Sequence, residues 1–575
     1  MLILLTIFLL LFVPLAMVLI NLVRPRFSIQ GFLAVISVLA GWIMVVLARG
    51  DIPQSVTLLV WKPDSFFPNS PTLLLDDTAW YFAIALMSLT LGLIIASIAQ
   101  SGQSKESPPV TAPRVEVIEV QGLPNPPTKP VVRVQAESTG HNANWRSWGG
   151  MLLLTSLGLV GVTAGNLLTL LLAWVAVDII ELVILMGQVL ESGKRERIVL
   201  GFSARMAGVA LVLLAGTSAW SQGISLSYDA VTQSTSIYLI LAAGLRLGVV
   251  PLHLPLIQQI PLRRALGTVL RLVPVATSFI LLVRVANTGF LGQASVFLLV
   301  FIALVGLYAA VLWLKATDEL DGRPYWLLGT AALAMASAIM NQPLACLAWS
   351  LAGILSGGLV FSLSLRHRNL LALAILGVIN FSALPFSPTW MGTRLYQYTT
   401  TIATIVPPVL FYLLSFVFIL VHAFLLAGFI RHILRGIYPA GEGPRDHSER
   451  WVWFIFPTGL VFISVTHFIS GFLFMPAFSE IALPVWTLGF LTVTISVLIL
   501  FFDHRFSQKF PHIQQSVRAS RINSILSLEW LYRIFWQIYR FMVRLISMLS
   551  SILEGDGGIL WALVLFALIF VFLQR

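Results

Sequence analysis

The stretch LILAAGLRLGVVPLHLPLIQQIPLRR, residues 239–264, decides how this chain folds. It is apolar enough for a membrane helix, yet it contains Arg246, followed by Pro251, His253 and Pro255. Proline removes a backbone N–H donor and clashes with the preceding turn, so a helix here must kink or end. Backbone breaks at membrane depth occur where the chain lines a wet cavity or is buried in protein. The stretch therefore predicts an interrupted membrane helix with a charge at the break.

The composition of the whole chain indicates a membrane protein. Its 575 residues are 58% hydrophobic and only 10% charged, with a mean hydropathy of +0.92. Soluble domains are about 25% charged. The net charge of +11 fits basic cytoplasmic loops better than nucleic-acid binding. A single cysteine, Cys346, excludes a disulfide framework and thiolate-held metal clusters within the chain.

Apolar windows predict about sixteen membrane spans. Most of the 35 Lys and Arg residues then fall on one side, and only Arg49, Lys62, Arg394 and Arg575 fall on the other. By the positive-inside rule the basic side is cytoplasmic, which places both termini outside the cytoplasm. The predicted windows are 2–22, 29–48, 78–100, 149–165, 166–190, 199–220, 236–257, 265–286, 293–314, 326–343, 346–365, 369–388, 402–430, 451–473, 483–502 and 557–574.

A second break is predicted at GVINFSALPFSPTWMGTRLY, residues 377–396, which contains Pro385, Pro388 and Arg394. It lies five spans after the first break, so its orientation would be inverted. Two interrupted helices at matching positions indicate an inverted-repeat transporter fold. Ordinary proline kinks are the alternative.

The predicted organisation has seven parts, two of which are not membrane spans. Residues 101–148 are Pro-rich and predict a cytoplasmic linker, and 522–553 predict an amphipathic helix along a membrane or protein surface. The parts are N-terminal spans (1–100), the linker (101–148), a first repeat (149–286), a second repeat (293–430), C-terminal spans (451–502), a cytoplasmic-side segment with the lateral helix (503–556) and a last span (557–575).

Two acidic residues lie inside a predicted span. The segment LLAWVAVDIIELVILM, residues 171–186, holds Asp178 and Glu181 three positions apart, on roughly one helical face. A carboxylate at bilayer depth is costly unless it is paired, hydrated or neutral, and so it marks a candidate functional site. By contrast, KATDELDGRP (315–324) is most simply a solvated loop.

The order and spacing of several segments resemble one known family, the antiporter-like subunits of respiratory complex I, membrane-bound hydrogenases and multi-subunit cation/proton antiporters. PTLLLDDTAWYFAIALMSLTLGLII resembles the family's third span, AGNLLTLLLAWVAVDIIELVIL its fifth, GLRLGVVPLHLP its broken seventh and LPFSPTWMGTRL its broken twelfth. The resemblance covers most of residues 1–500. Sixteen spans with a late surface helix are similar to the distal, longest subunit type, in a divergent form.

The resemblance implies ion-path positions at which this chain departs from the family. The family's fifth-span glutamate directly follows a tryptophan, whereas Trp174 is followed by Val175. Lysine or another titratable residue is expected where this chain has Arg246 in the seventh span, Arg271 in the eighth and Arg394 after the twelfth-span break. The segment 344–365, where the family has buried histidine and lysine, contains no acidic or basic residue.

Arginine keeps the positive charge but does not release its proton under protein conditions, so these substitutions remove switching. For Asp178 and Glu181 three interpretations stay open: an intramembrane ion pair with Arg205 or Arg246, participation in a proton path, or proximity to a wet surface. His253 is either a satisfied core histidine or a proton carrier. In the second repeat, His422 is the one titratable group expected at depth.

The sequence thus predicts an all-α polytopic membrane protein that serves as the membrane-arm, non-redox subunit of a proton-translocating, NADH:quinone oxidoreductase-type complex, with altered proton-path residues. No cofactor or metal is expected on this chain. The expected partners are other membrane subunits and the lipid bilayer, and the bacterial inner membrane is the expected location. A scaffold subunit of another large membrane complex, or a stand-alone cation/proton transporter, are the alternatives.

Overall fold

The computed structural model describes residues 1–23, 29–60, 67, 69–103, 144–189, 192–224, 227–252, 264–288, 292–363, 370–403, 405–434, 447–475, 483–509 and isolated positions between 537 and 569. Two structural units are present, Met1–Phe506 and Ser507–Arg575. Most of the predicted linker, the lateral helix at 522–553 and the last span at 557–574 lie outside the described residues. Within the second unit, residues 540–545 and 562–566 are helical.

Long apolar helices make up nearly all of the first unit. They are α1 (Leu2–Val23), α2 (Gln30–Leu47), α3 (Asp77–Gln103), α4 (Asn144–Val162), α5 (Leu167–Gln188), α6 (Ser192–Ser221), α7 (Gln233–Leu247), α8 (Arg264–Val285), α9 (Gln293–Lys315), α10 (Arg323–Ile339), α11 (Pro343–Ser362), α12 (Leu371–Phe381), α13 (Thr400–Ala403), α14 (Pro408–Leu434), α15 (His447–Leu473) and α16 (Leu483–Lys509).

The predicted all-α polytopic fold is confirmed. Among the described residues, ten helices are long and apolar enough to cross a membrane. The total of about sixteen spans, the inverted relation of the two repeats and the domain boundaries stay predictions.

Four helices form the interior of the first unit. Helices α3, α8, α10 and α11 are buried along almost their whole length, and every residue in the apolar window of α8 is buried. Outer helices such as α1 and α9 instead expose large apolar side chains, among them Phe12 and Phe297. An interior helix surrounded by helices with apolar outer faces is the arrangement expected when the surrounding solvent is lipid.

A pair of short strands, which the sequence reasoning did not predict, fixes the connection between α4 and α5. Strands β1 (Gln54–Thr57) and β2 (Thr72–Leu75) pair antiparallel. The backbone N–H of Leu74 donates to Thr163 O at 2.7 Å, and Gly165 N–H donates to Thr72 O at 2.8 Å. Asn166 then caps α5 by accepting from the Thr169 N–H at 2.9 Å. The start of α5, and hence the depth of its acidic residues, is set by these bonds.

Both predicted breaks coincide with helix ends. Helix α7 stops at Leu247, where Gly248 adopts a left-handed conformation (φ 81°) and Val249 N–H donates to Gly244 O at 2.9 Å. Helix α12 stops at Phe381, and the following turn is held by Thr389, whose hydroxyl donates to Asn380 O at 3.0 Å. Each helix therefore ends earlier than its apolar window. Pro251, Pro385 and Pro388 lie just beyond these ends, whereas Pro255 lies outside the described residues.

Helices α3 and α15 approach each other closely at two glycines. A substitution at one of them tests how far the fold depends on this contact. A Cβ atom at Gly92 would lie 2.5 Å from Gly459 O, and a Cβ at Gly459 would lie 2.5 Å from Gly92 O. We expect Gly92→Ala to force the two helices apart and to lower the free energy of unfolding by about 1–3 kcal/mol.

Gly187→Ala in α5 is the matched control, because a Cβ there has no neighbour within 4 Å. It should be neutral or stabilising by up to about 1 kcal/mol, from helix propensity alone. Unfolding in mixed micelles measures both variants, and equal stability of the two would show that the α3–α15 contact is not tight.

Candidate functional site

The two acidic residues of α5 lie near the middle of the helix and face inward. Asp178 is completely buried and Glu181 is 3% exposed. Their three-residue spacing directs both side chains toward the same neighbours, α6, α7 and α8.

The break after α7 places Arg246 opposite these carboxylates. With 15 residues, α7 is about 22 Å long at 1.5 Å per residue, shorter than the roughly 30 Å of a bilayer core. Arg246 lies in its last turn, where the negative end of the helix dipole favours a cation. A helix that continued through residues 248–255 would carry this dipole end away from the arginine.

Arg246 and Asp178 form a bidentate ion pair. The guanidinium Nη1 lies 2.6 Å from Asp178 Oδ2, and Nη2 lies 3.0 Å from Oδ1. Both side chains are essentially inaccessible to solvent. Two parallel charge-assisted hydrogen bonds fix the orientation of both groups as well as their distance.

Arg205 of α6 joins the second carboxylate to the first. Its Nη1 lies 2.6 Å from Glu181 Oε2, and its Nε lies 3.3 Å from Asp178 Oδ1, an electrostatic contact without hydrogen-bond geometry. Arg246 Nη1 also donates to the backbone carbonyl of Arg205 at 3.4 Å. We call Asp178, Glu181, Arg205 and Arg246 the charged cluster; it connects α5, α6 and α7.

The charged cluster is neutral as a whole when both carboxylates are ionised. Transferring one ion into a protein interior costs several kcal/mol, and mutual attraction offsets this cost only with good geometry and further hydrogen bonds. Two acids and two arginines in direct contact meet that requirement. The structure therefore contains the ion-pair arrangement. Because Arg246 of α7 donates to Asp178 of α5 and to the Arg205 carbonyl of α6, the charged cluster holds the three helices together.

Two further residues complete the surroundings of Arg246, and neither role is indicated by a pattern in the sequence. The ring of Trp174 lies under the guanidinium, with the Arg246 Cζ 4.2 Å from the ring centroid. The indole N–H of Trp174 donates to Thr277 O at 3.2 Å, which fixes the ring against α8. Arg246 Nε donates to Ser278 Oγ at 3.4 Å. Trp174 is thus part of the site and not a simple packing residue.

Gly208 of α6 makes room for the arginine side chain. A Cβ atom at this position would lie 2.7 Å from Arg246 Cγ and 3.0 Å from Ala242 O. Any larger residue would displace either the α7 backbone or the charged side chain. A glycine within an apolar helix gives no such indication in the sequence.

The other predicted site residues are not in the charged cluster. Arg271 is buried on α8, and the charges of Glu181 and Asp321 both act on it. Arg394 follows the second break, where it is half-buried, and none of the described carboxylates forms an ion pair with it. His253 lies outside the described residues. Within the described ranges no group of three His, Cys, Asp or Glu side chains could hold a metal ion.

The loop after α9 is solvated only in part: Lys315, Thr317 and Asp321 are exposed, whereas Glu319 is buried. Glu319 is 2% exposed, and its Oε1 lies 2.8 Å from Nη1 of Arg264 at the start of α8. Arg264 Nη1 also donates to the carbonyls of Phe361 and Leu363 at 3.2 and 3.4 Å, where α11 ends. Glu319 is buried because the charge of Arg264 needs a partner there, while Arg264 in turn satisfies the carbonyls that end α11.

Aromatic rings fill the interior of the second half, residues 293–430. The ring centroids of Trp326 and Phe381 are 4.6 Å apart, and those of Trp349 and His422 are 4.7 Å apart. His422 is fully buried, and its Nε2 forms a hydrogen bond of 2.9 Å with Phe381 O. The one titratable group predicted at depth is therefore enclosed by rings, without a charged neighbour among the described contacts.

Comparisons with known proteins show similarity of fold. A chain of the Mrp complex from Dietzia sp. DQ12-45-1b superposes with a TM-score of 0.67 at 12% identity, over 100% of this chain and 63% of that chain. A chain of the membrane-bound sulfane sulfur reductase, an archaeal respiratory membrane complex, gives 0.60 at 13% identity, over 98% and 99%. A chain of respiratory complex I from Thermus thermophilus gives 0.53 at 15%, over 81% and 98%.

This chain spans 63% of the length of the Mrp chain. No protein-family model and no curated protein sequence matches it. At these identities the three similarities show a shared fold.

Removing one charge tests the cluster. Asp178→Asn leaves Arg246 buried without its bidentate partner, so we expect the free energy of unfolding in mixed micelles to fall by about 3–5 kcal/mol. Asp503→Asn is the control, because Asp503 pairs with Arg431 across 3.8 Å with both side chains partly exposed. That change should cost about 0–1 kcal/mol. A small effect of Asp178→Asn would mean that water reaches Arg246.

Proposed function

We propose that this chain is an antiporter-like membrane subunit of a multi-subunit assembly that couples electron transfer to ion translocation. The charged cluster carries the proposal. It lies where a broken helix meets an acidic helix in the middle of the membrane, in a fold similar to chains of an Mrp complex and of two respiratory complexes. Buried ionisable groups at this depth are costly and mark ion pathways more often than packing sites.

The first half of the chain supports ion movement better than the second. Along α8, Arg264, Arg271 and Ser278 recur every seven residues on one face, which separates neighbours by about 10 Å along the helix. Ser278 contacts Arg246 of the charged cluster, and Arg264 contacts Glu319 at the other end of this polar row. We propose that an ion path, with protons as its cargo, follows this row and that water bridges its gaps.

Within that path the arginines act as fixed charges. They do not exchange protons, so proton transfer falls to Asp178 and Glu181. A proton arriving at Asp178 removes the counter-charge of Arg246, and the guanidinium must then find another partner. Coupling between protonation and ion-pair rearrangement is the mechanism that this geometry supports.

The finer assignments rest on the sequence resemblance. We propose a complex I-type parent assembly, with NADH oxidation and quinone chemistry on partner chains, and the distal, longest subunit type for this chain. The location would be a bacterial inner membrane, with both termini outside the cytoplasm and other membrane subunits as neighbours.

A scaffold subunit without ion conduction is the second candidate, and the aromatic interior of the second half favours it. Trp313, Trp326 and Trp349 are fully buried there, and each indole N–H donates to a backbone carbonyl at 3.1 Å. Such rings occupy space that a hydrated path through this half would need. In this candidate the charged cluster only fastens α5, α6 and α7.

Purification from the native host separates these candidates from a stand-alone transporter. We expect the tagged chain to copurify in stable stoichiometry with several other membrane chains. Recovery of a chain that transports cations alone, without partners, would contradict both subunit proposals.

Ion stoichiometry then distinguishes pump from scaffold. In the reconstituted assembly, Asp178→Asn and Glu181→Gln should lower the number of protons moved per electron, whereas Arg246→Lys, which keeps the charge, should retain most of it. Asp503→Asn, outside the cluster, is the control. Unchanged stoichiometry in the two carboxylate variants, with intact assembly, would assign the scaffold function.

A further inference from the structure

A buried arginine at the start of α10 has an edge that forms no hydrogen bond with the described part of the protein. Arg323 is 3% exposed, and its Nε and Nη2 atoms have no hydrogen-bond partner among the described residues. Its only described side-chain contact of a specific kind is with the Phe361 ring, whose centroid lies 5.5 Å from Cζ. A charged donor buried without an acceptor costs more than an ordinary lost hydrogen bond.

The two atoms without partners form one chemical surface. In a guanidinium, the Nε–H bond and one N–H bond of Nη2 lie in the plane of the group and point in parallel from the same edge. This edge matches two oxygens of one carboxylate or phosphate group, in a bidentate contact that a single-atom anion does not reproduce. The geometry therefore selects an oxyanion.

The charges around Arg323 favour an anion at the edge without hydrogen-bond partners. The positive charges of Arg271 and Arg264 both act on Arg323 and oppose its own charge. Of the three acids of the neighbouring loop, Glu319 is in direct contact with Arg264, Asp318 acts on Arg323 from farther along the loop, and Asp321 acts on Arg271. None of these acids forms an ion pair with Arg323 among the described residues, so its buried charge has no contacting counter-charge there, and an anion would supply one.

The site lies at the ends of membrane helices. Arg323 begins α10, Arg264 begins α8, and Leu363 follows the last residue of α11. Lipid phosphates lie at the depth of helix ends, outside the hydrocarbon core. The side chain of Arg264 is 23% exposed while its guanidinium reaches Glu319, so this arginine extends to the protein surface.

We propose that the free edge of Arg323, with Arg264 and Arg271 around it, binds a phosphate oxyanion, either the phosphate of an acidic lipid headgroup or free inorganic phosphate. This site is separate from the charged cluster and does not depend on the proposed ion translocation. The bound phosphate neutralises Arg323 and holds the starts of α8 and α10 to the end of α11.

The experiment uses the purified assembly, delipidated and then returned to defined conditions. One arm adds nanodiscs or vesicles of phosphatidylglycerol, with phosphatidylcholine for comparison, and a second arm titrates inorganic phosphate in detergent. The measurements are melting temperature and tightly bound phosphorus per chain. The variants are Arg323→Gln, Arg323→Lys and, as a matched control, Arg431→Gln, an arginine whose guanidinium already contacts Leu314 O and Asp503.

We expect the wild type and the Arg431→Gln variant to show a rise in melting temperature with one of the two phosphate sources. Arg323→Gln should weaken the apparent affinity at least tenfold, and Arg323→Lys, which keeps the charge but lacks the bidentate edge, should fall between. A response to phosphatidylglycerol alone assigns a lipid headgroup, and a response to inorganic phosphate assigns the free ion.

No rise with either source in the wild type would overturn the proposal, as would an equal rise in the wild type and Arg323→Gln. If Arg323→Gln does not fold, the same comparison is made with Arg323→Lys. An affinity of that variant equal to the wild-type affinity would then overturn the bidentate site.

Discussion

Asp178 and Arg246 depend on each other because neither charge has access to water. Asp178 is fully buried in the middle of α5. Arg246 lies in the last turn of α7, which ends earlier than an uninterrupted membrane helix would. The bidentate contact, with Arg205 and Glu181 beside it, makes the region neutral. The break after Leu247, the cap at Asn166 and the small residue at Gly208 all serve to bring these four groups together at contact distance.

The two halves of the molecule use different physical means to fill the same kind of interior. The first half contains charges in direct contact, supported by an aromatic face and a serine hydroxyl. The second half contains indole and phenyl rings, with His422 enclosed among them. Protonation of a carboxylate removes its charge, so an ion pair can rearrange. Aromatic rings carry no charge, so their packing does not change with protonation. Among the described residues, the ion pairs with both side chains buried lie on α5, α6 and α7.

Sequence patterns predict the architecture because long apolar runs and prolines act locally. The windows over α5, α8 and α11 follow from hydropathy, and Pro251, Pro385 and Pro388 indicate where α7 and α12 end. The charges Asp178, Glu181, Arg205 and Arg246 are recognisable as candidates because each is costly in a bilayer. The sequence offers an ion pair with Arg205 or Arg246 as one of three interpretations but does not decide among them, since Arg246 and Asp178 are 68 positions apart and lie on different helices.

The missed features arise from contacts that leave no local pattern. The strand pair between α2 and α3 is only four residues on each side, and two further backbone hydrogen bonds join it to the α4–α5 turn. The sequence around Glu319 is typical of a solvated loop. Glu319 is nevertheless buried, because it pairs with Arg264 on another helix. Arg394 follows the second helix break, the position at which the resemblance predicts a proton-carrying residue. It has no acidic partner among the described residues.

Helix α8 belongs to both halves through its polar contacts. Ser278 accepts from Arg246 near its middle, while Arg264 at its start donates to the two carbonyls that end α11. These contacts are about 21 Å apart along one helix, at 1.5 Å per residue, with Pro274 between them. A displacement of α8 along its own axis would change both contacts together, so a rearrangement at the carboxylates would be felt at the end of α11.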